Sequence, residues 1–536
     1  MLISILWIVW LSLTPIIDRD ALRFHLSFSK LWAENDFLFF RKWFAYYDLN
    51  MLNLNYLYML VFKLGLPAQA TKIIHASFLL AGGYLIYKYF KEKYGFNWGA
   101  VSFVMYITVP VHQRLASEVY VDLGLLFFST AATIYFLKWF ESDFKNKKYL
   151  VISALGAGLG FGTKYNGMII AFFLTLFTGL VLSRERKNDK AALKTMAVYG
   201  AIILIAASPW LIRNFINSGN PFFPLFGSVF SSSLTYSDVI AEGEFGETVN
   251  RIINGGENVF SLFLLPLRVF FQGKDNDLLR FDGVLNPFMF LFLVFIFFPG
   301  SKDEDLKKKT FYLLALFSVI YLTTLYSNDI RTRYFIPVLP LLVILNTFGL
   351  RNLKSLKTSR AWLFILCILC FAFNLNYGIE RYSYLHMNDF MPFSKISADR
   401  YLSKYLQVYD MSRYINQNTE KESVIYEAMT GGRGFYIERT FYCDTATLDR
   451  YLFELAKNGS PKEGYIKHFN SLPNSEYKAT HLLMRPKNFI QTFIDINFDE
   501  NDPENVENKK KIRGFVDFLN SIKILKHNDD VYLFEL

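Results

Sequence analysis

The sequence predicts an α-helical polytopic membrane protein carrying a small soluble α/β domain at its C-terminus. Of its 536 residues, 52% are hydrophobic and 18% aromatic, with a mean hydropathy of +0.22. The apolar residues are gathered into blocks close to the length that crosses a ~30 Å hydrocarbon core at ~1.5 Å per helical residue. From about Arg381 onward charges become frequent and no block is long enough to span.

Spans are expected at about 1–17, 71–90, 97–112, 120–138, 149–162, 167–183, 195–213, 283–300, 310–326, 334–350 and 361–378, which makes about 11 transmembrane helices. Backbone in hydrocarbon must satisfy its own hydrogen bonds, so such blocks become helices. Met1 to Ile17 has neither a basic leader nor a small-residue cleavage signal and reads as a retained span, short enough that a few preceding residues are expected to be missing. Asn53, Asn55 and Lys63 interrupt 51–66, and Pro266 and Arg268 break 259–271. Both read as interfacial or re-entrant.

The net charge of +10 sits in the loops and does not indicate a nucleic-acid partner. Lys88–Asn97, Lys138–Lys148, Arg184–Lys194, Ser301–Lys309 and Arg351–Arg360 are strongly basic and alternate with connections poor in Lys and Arg. This positive-inside pattern puts the N-terminus in the cytoplasm and the C-terminus outside. Residues 1–380 then form the transmembrane domain, with long external loops at 18–70 and 218–282, and 381–536 form the extracytoplasmic domain. In that domain 424–429, 481–484 and 531–536 read as strands, and 398–415, 446–457 and 510–522 as amphipathic helices. Cys367 and Cys370 lie inside an apolar block, so their spacing marks two small hydrophobes rather than a redox pair, and Cys443 stands alone.

Polar residues able to do chemistry gather on the expected outer side. Asp18 and Asp20 follow the first span, with His25 just beyond. A carboxylate beside low dielectric has raised proton affinity and suits a general base, whereas an N-cap is the plainer role. Glu118 and Asp122 share a helical face at the start of the fourth span, where an acid is costly unless it functions or caps. Lys164 and Tyr165 lie between two spans, and Arg213 and Asn214 close another. Arg331, Arg333 and Tyr334 precede a third. Outer-face cations run against the charge bias. Phosphate binding accounts for them, with snorkelling and pairing to Asp329 as structural alternatives. Acids with phosphate-binding cations suit transfer from a lipid-phosphate donor to a hydroxyl. There is no P-loop, HExxH or dinucleotide fingerprint.

At these residues the chain resembles the GT-C superfamily of membrane glycosyltransferases, the group with protein O-mannosyltransferases and the lipid A aminoarabinose transferase. The resemblance rests on Asp20-Ala21-Leu22-Arg23-Phe24-His25-Leu26, Tyr120-Val121-Asp122, Thr163-Lys164-Tyr165, and Pro209-Trp210 with Arg213-Asn214 followed by Gly219-Asn220-Pro221 and Pro224, in that order. It covers most of 1–350. It implies a GT-C-like fold, a polyprenyl-phosphate-linked sugar donor and inverting transfer. Asp20 would be the base, Asp122 the second loop acid, and Lys164, Arg213 and Arg333 the donor-phosphate contacts. Asp18 and Asp20 straddle Arg19, which leaves the base open between them. Glu118, His25, Tyr165, Asn214, Arg331 and Tyr334 are the remaining substrate-binding candidates.

The sequence requires no cofactor, and no metal cage is legible in it; a divalent metal remains compatible but has no residue support. The acceptor is a lipid, glycan or protein, the surrounding partners are membrane lipids, and the expected location is a bacterial cytoplasmic membrane. Two other readings compete: a polysaccharide polymerase or ligase using a lipid-diphosphate donor, and a lipid or saccharide transporter. The absence of matched broken helices and the acids at one face count against the transporter.

Overall fold

A computed structural model describes residues 1–35, 49–227, 229–230, 251–252, 255–297, 304–327, 330–355, 360–443, 450–472, 477–492 and 503–536. The chain divides into two compact units. One comprises Met1–Thr14, Met51–Ile212 and Gly243–Asn388; the other comprises Pro15–Asn50, Arg213–Glu242 and Asp389–Leu536. Pro15–Asn50, expected as a loop of the membrane domain, therefore groups with the C-terminal residues.

The first unit is helical. Among the described residues five helices are long and apolar enough to cross a membrane, within 122–141, 167–186, 189–218, 307–326 and 361–384, and shorter apolar helices cover 2–11, 96–107 and 287–297. On Asp189–Ser218 the side chains of Leu204, Ile205 and Ile212 are exposed, and on Arg360–Tyr384 so are Trp362, Phe364 and Ile368. Water would penalise such surface, and lipid would not. Helices approach closely through glycine. A Cβ at Gly156 would lie 2.9 Å from the Ala132 nitrogen, and one at Gly158 would lie 2.8 Å from the Ile203 carbonyl.

Several expected spans are cut short by proline. The first helix is Leu2–Leu11 rather than 1–17. Ser12 Oγ bonds back to the Val9 carbonyl at 2.7 Å, and Thr14 precedes Pro15, a position that disfavours helix. The span expected at 97–112 ends at Ile107, and Pro110 opens a separate helix, Pro110–Ala116. Leu339–Ser355 replaces 334–350, after a 3-10 turn at Thr332–Phe335. The interrupted segments form helices Asn53–Lys63, Val259–Phe263 and Leu265–Phe271. Of the expected 283–300 span, Pro287–Val294 is helical, and 298–300 lie outside the described residues.

The basic connections meet at one end of this unit. Lys93 and Lys309 both pair with Glu141, the latter at 3.4 Å. Lys138 pairs with Glu92 at 3.0 Å, Arg186 with Asp143, and Lys308 with Glu185. Glu141 and Asp122 are the two ends of one 20-residue helix, about 30 Å long at 1.5 Å per residue. The basic cluster and Asp122 thus sit at opposite ends of a membrane-length helix.

The second unit holds a five-stranded sheet of β1 (Val424–Ala428), β2 (Thr440–Cys443), β3 (His481–Met484), β4 (Lys523–Asn528) and β5 (Val531–Glu535), in the order β2-β1-β3-β5-β4. β1 runs parallel to β2 and β3, and β5 runs antiparallel to β3 and β4. β2 was not expected, and neither was β4. Its side chains are mostly exposed, so it lacks the apolar signature of a strand, and its lysines suit an edge. The helix expected at 398–415 is two helices, Lys395–Tyr405 and Tyr409–Asn418, parted at the extended Leu406. Strand residues alternate in facing. Tyr426 packs against Phe469 of helix Lys462–Asn470, with ring centroids 5.0 Å apart, so its neighbour Glu427 faces the other side of the sheet.

Candidate functional site

Three separate stretches of the first unit converge. Lys164, in the turn after helix Lys147–Phe161, places its Nζ 2.8 Å from Asp122 Oδ1 and 5.0 Å from the centre of the Tyr334 ring. The Arg333 guanidinium lies 5.4 Å from the same ring and 5.5 Å from that of Tyr120. Arg333 and His75 are close enough to act electrostatically on Asp122, which is 1% exposed. An ammonium has three N–H donors, so one bond to Asp122 leaves capacity for a second oxyanion.

The chain around this cluster is fixed from several directions. His75 bridges the Glu118 carbonyl at 2.9 Å and the Leu123 amide at 3.0 Å, and Tyr58 donates to the Tyr120 carbonyl at 2.6 Å. Asn53, which interrupts an apolar segment in the sequence, holds the Lys164 turn. Its amide donates to Gly162 O at 3.0 Å, its Nδ2 to Leu159 O at 2.9 Å, and its Oδ1 accepts from Trp210 at 2.7 Å. A Cβ at Gly162 would meet Asn53 Nδ2 at 2.6 Å, so the close approach needs glycine. Thr332 anchors the Arg331–Tyr334 turn by hydrogen bonds to Phe281 O and Gly283 O at 3.1 and 3.0 Å. Tyr165 stacks at a tilt on Phe161, with centroids 6.4 Å apart, and Arg331 precedes the 3-10 turn.

Glu118 has a different setting. Its Oε1 accepts from Arg114 Nε at 3.1 Å and Arg381 Nη2 at 3.0 Å, while Arg114 Nη1 also contacts Asp282 Oδ1 at 2.9 Å. Tyr377 donates to Asp275, itself 3.4 Å from Arg114. This buried network ties helix Pro110–Ala116 to Arg360–Tyr384 and to the 275–282 segment. Arg114, Asp275, Asp282 and Arg381 escaped the sequence reading, because an isolated charge gives no sign of its distant partner.

The second unit contains the Asp18–His25 stretch. After Asp20 the backbone makes a π-turn at Ala21–His25, with the Leu26 amide bonding to Ala21 O. Such turns recur at functional sites. Asp18 and Asp20 are half-buried, and Asp20, at the N-cap position, makes no side-chain capping bond to this turn. His25 is buried, its ring 4.5 Å from that of Phe24. Arg213, 1% exposed, lies 5.2 Å from the centre of the Trp32 ring, and Asn214 beside it is fully buried.

The 15–35 stretch docks on the connection between β1 and β2. Arg19 Nε donates to Gly431 O at 3.3 Å and the Tyr436 hydroxyl to Ile16 O at 3.0 Å. Glu427, at the end of β1, accepts from Thr430 Oγ1 at 3.0 Å. Burial pushes its carboxyl up to about 7, against opposing pulls from Thr430, Arg23 and Arg433. Burial, with crowding by Arg19 and Arg485, pushes the Arg433 guanidinium down. A carboxylate inside the apolar run Val424–Met429 was the sequence signal for Glu427. Among the described residues no group of three or more His, Cys, Asp or Glu could hold a metal.

Residues 52–212 match the model of a family described as dolichyl-phosphate-mannose-protein mannosyltransferase. Over nearly all its length the chain is similar to ArnT from Cupriavidus metallidurans bound to undecaprenyl phosphate, at a TM-score of 0.58 and 12% identity, covering 99% of this chain and 96% of that one. The chain has the GT-C fold. A second GT-C structure, the Archaeoglobus fulgidus oligosaccharyltransferase in complex with Zn and sulfate, aligns at a TM-score of 0.53 and 13% identity, covering 92% of this chain and 68% of that one. No curated protein sequence matches the chain. The family match includes the Asp122 and Lys164 segments.

Proposed function

We propose that the protein moves a sugar from a polyprenyl-phosphate carrier to an acceptor hydroxyl, with inversion, at the outer face of a bacterial cytoplasmic membrane. The observation that carries this reading is the convergence of Asp122, Lys164, Arg333 and Tyr334. Cations held by a buried acid and aromatic faces suit a phosphate leaving group. The structural relative that holds undecaprenyl phosphate supports the donor class. About eleven spans with the N-terminus inside fit the clustering of basic connections at the end opposite Asp122.

In this reading Asp20 accepts the proton of the acceptor hydroxyl as that oxygen bonds to the anomeric carbon. The bond from that carbon to the phosphate oxygen breaks, and the electron pair leaves with the phosphate. Lys164, Arg213 and Arg333 stabilise its charge. Asp122 orients Lys164, and Asp18 is the second candidate base.

The test is a transfer assay with the purified chain, a radiolabelled polyprenyl-phosphate sugar and an extract of the native membrane as acceptor. Label should leave the lipid fraction for the acceptor. No transfer from any such donor, with binding of a lipid-diphosphate sugar instead, would overturn the donor assignment.

A further inference from the structure

The second unit carries a cluster of which the proposed reaction uses only Asp18, as its alternative base. At the carboxyl ends of the parallel strands β1 and β3 the chain leaves in opposite directions, from β1 toward β2 and from β3 toward β4 and β5. Open sheets bind ligands at such switch points. Here β1 is followed by Thr430-Gly431-Gly432-Arg433, and β3 by Arg485.

Several charged groups meet at this edge. A Cβ at Gly431 would lie 3.7 Å from Arg19 Nε and 3.8 Å from Arg433 Nε, and one at Gly432 would lie 3.0 Å from Arg23 Nε. Both glycines have positive φ, +85° and +67°, a conformation that disfavours side chains, and at Gly432 the space is tight as well. Arg485 acts electrostatically on Arg433, as do Asp18 and Glu427.

These groups do not satisfy one another. Arg433 Nε, Asp18 Oδ2 and Glu427 Oε2 are each buried without a hydrogen-bond partner among the described residues, whereas Arg485 Nε faces Asp530 Oδ2 at 3.5 Å. Orphaned polar atoms are scarce in folded chains, and three at one edge call for a cause. Mutual pairing would have been the cheap solution, since both signs are present. The ligand that satisfies all three offers an oxyanion acceptor to Arg433 and hydroxyl donors to the carboxylates.

We propose that the carboxyl edge of β1 and β3, with Arg19 and Arg23, binds a phosphorylated saccharide, its phosphate at Arg433 and its hydroxyls at Asp18 and Glu427. Arginine forks suit phosphate oxygens, and a carboxylate accepts from hydroxyls. In the context of the proposed transfer such a site would hold an anionic acceptor. The binding itself needs no turnover.

The experiment is arginine labelling with phenylglyoxal on the full chain in micelles, read by peptide mass spectrometry at Arg433. Glucose 6-phosphate at ten times its dissociation constant leaves about a tenth of sites open, so labelling of Arg433 should slow about tenfold. Inorganic phosphate should protect at higher concentration, and glucose or matched sodium chloride should not protect. Glu427→Gln should weaken protection by glucose 6-phosphate more than protection by phosphate. If polyprenyl phosphate protects as well as glucose 6-phosphate, the occupant is a lipid headgroup and the saccharide is refuted. If neither phosphate nor glucose 6-phosphate slows labelling beyond the chloride control, there is no oxyanion site. Failure of the transfer assay would leave these outcomes unchanged.

Discussion

Lys164 and Asp122 stand 42 positions apart in sequence and 2.8 Å apart in space, one in a turn between two helices and the other at the first residue of a third. The carboxylate is buried and the ammonium partly open, with side-chain exposures of 1% and 23%. The pair therefore presents its positive member toward the surface.

That arrangement makes Lys164 the first residue to test. Lys164→Ala should weaken binding of a polyprenyl-phosphate donor by about ten- to a hundredfold, the worth of one charged hydrogen bond. Arg213→Ala and Arg333→Ala should act in the same direction. Donor titration by fluorescence or calorimetry measures this, and unchanged affinity in all three variants would withdraw the assignment.

Asp20→Asn keeps the shape of the side chain and removes its basicity. Transfer should fall by ~10²–10⁴-fold while donor binding survives. Asp18→Asn should be milder. The reverse ranking in single-turnover rates would move the role of base to Asp18. Activity in both variants and in Asp122→Asn would refute the mechanism.

Glu427 links pH to stability. Its folded carboxyl is raised to about 7 from an ordinary 4.5, so the folded chain binds this proton more tightly than the unfolded one. Stability from this group is therefore fully present below about 4.5, falls as pH rises toward 7, and is lost above that, by on the order of 3 kcal/mol. Melting of the full chain in micelles at pH 5 and pH 8 should show the loss, and Glu427→Gln should shrink it. An identical pH dependence in the variant would contradict the buried setting.

Arg114 supports Glu118 and Asp282 at once, at 3.1 and 2.9 Å. Arg114→Met should strand buried carboxylates and cost about 3–5 kcal/mol. Thermal unfolding should show it clearly beside Lys145→Met, whose side chain is 80% exposed. Equal melting of the two variants would mean the network contributes little.

Orientation can be read directly. A reporter active only in the cytoplasm, fused after Leu536, should be silent. Strong activity would reverse the sidedness inferred from the basic connections.

Local signals determined much of this protein in advance. An apolar block must become a helix because its backbone can bond only to itself in hydrocarbon, so helices such as Gly167–Arg186 and Asp189–Ser218 were legible. Short apolar runs with turn residues at their ends marked β1, β3 and β5 for the same local reason. Lys164 and Arg333 were legible as cations placed against the expected charge pattern, and Asp122 as an acid beside an apolar run. What they touch was not, because a partner 42 residues away is chosen by helix packing and leaves no trace in spacing.

Tertiary structure alone decided the rest. It grouped Pro15–Asn50 with the C-terminal sheet, through contacts such as Arg19 to Gly431 and Tyr436 to Ile16. It placed Glu118 in the link between helices Pro110–Ala116 and Asp122–Glu141, not on the helical face it was expected to share with Asp122, and made it the shared acceptor of Arg114 and Arg381. It also gave Glu427 its raised proton affinity, which burial imposes and no neighbour in sequence encodes. The hydrophobic period of a segment is fixed by its own residues. The energy of a buried charge is fixed by whatever the fold brings against it.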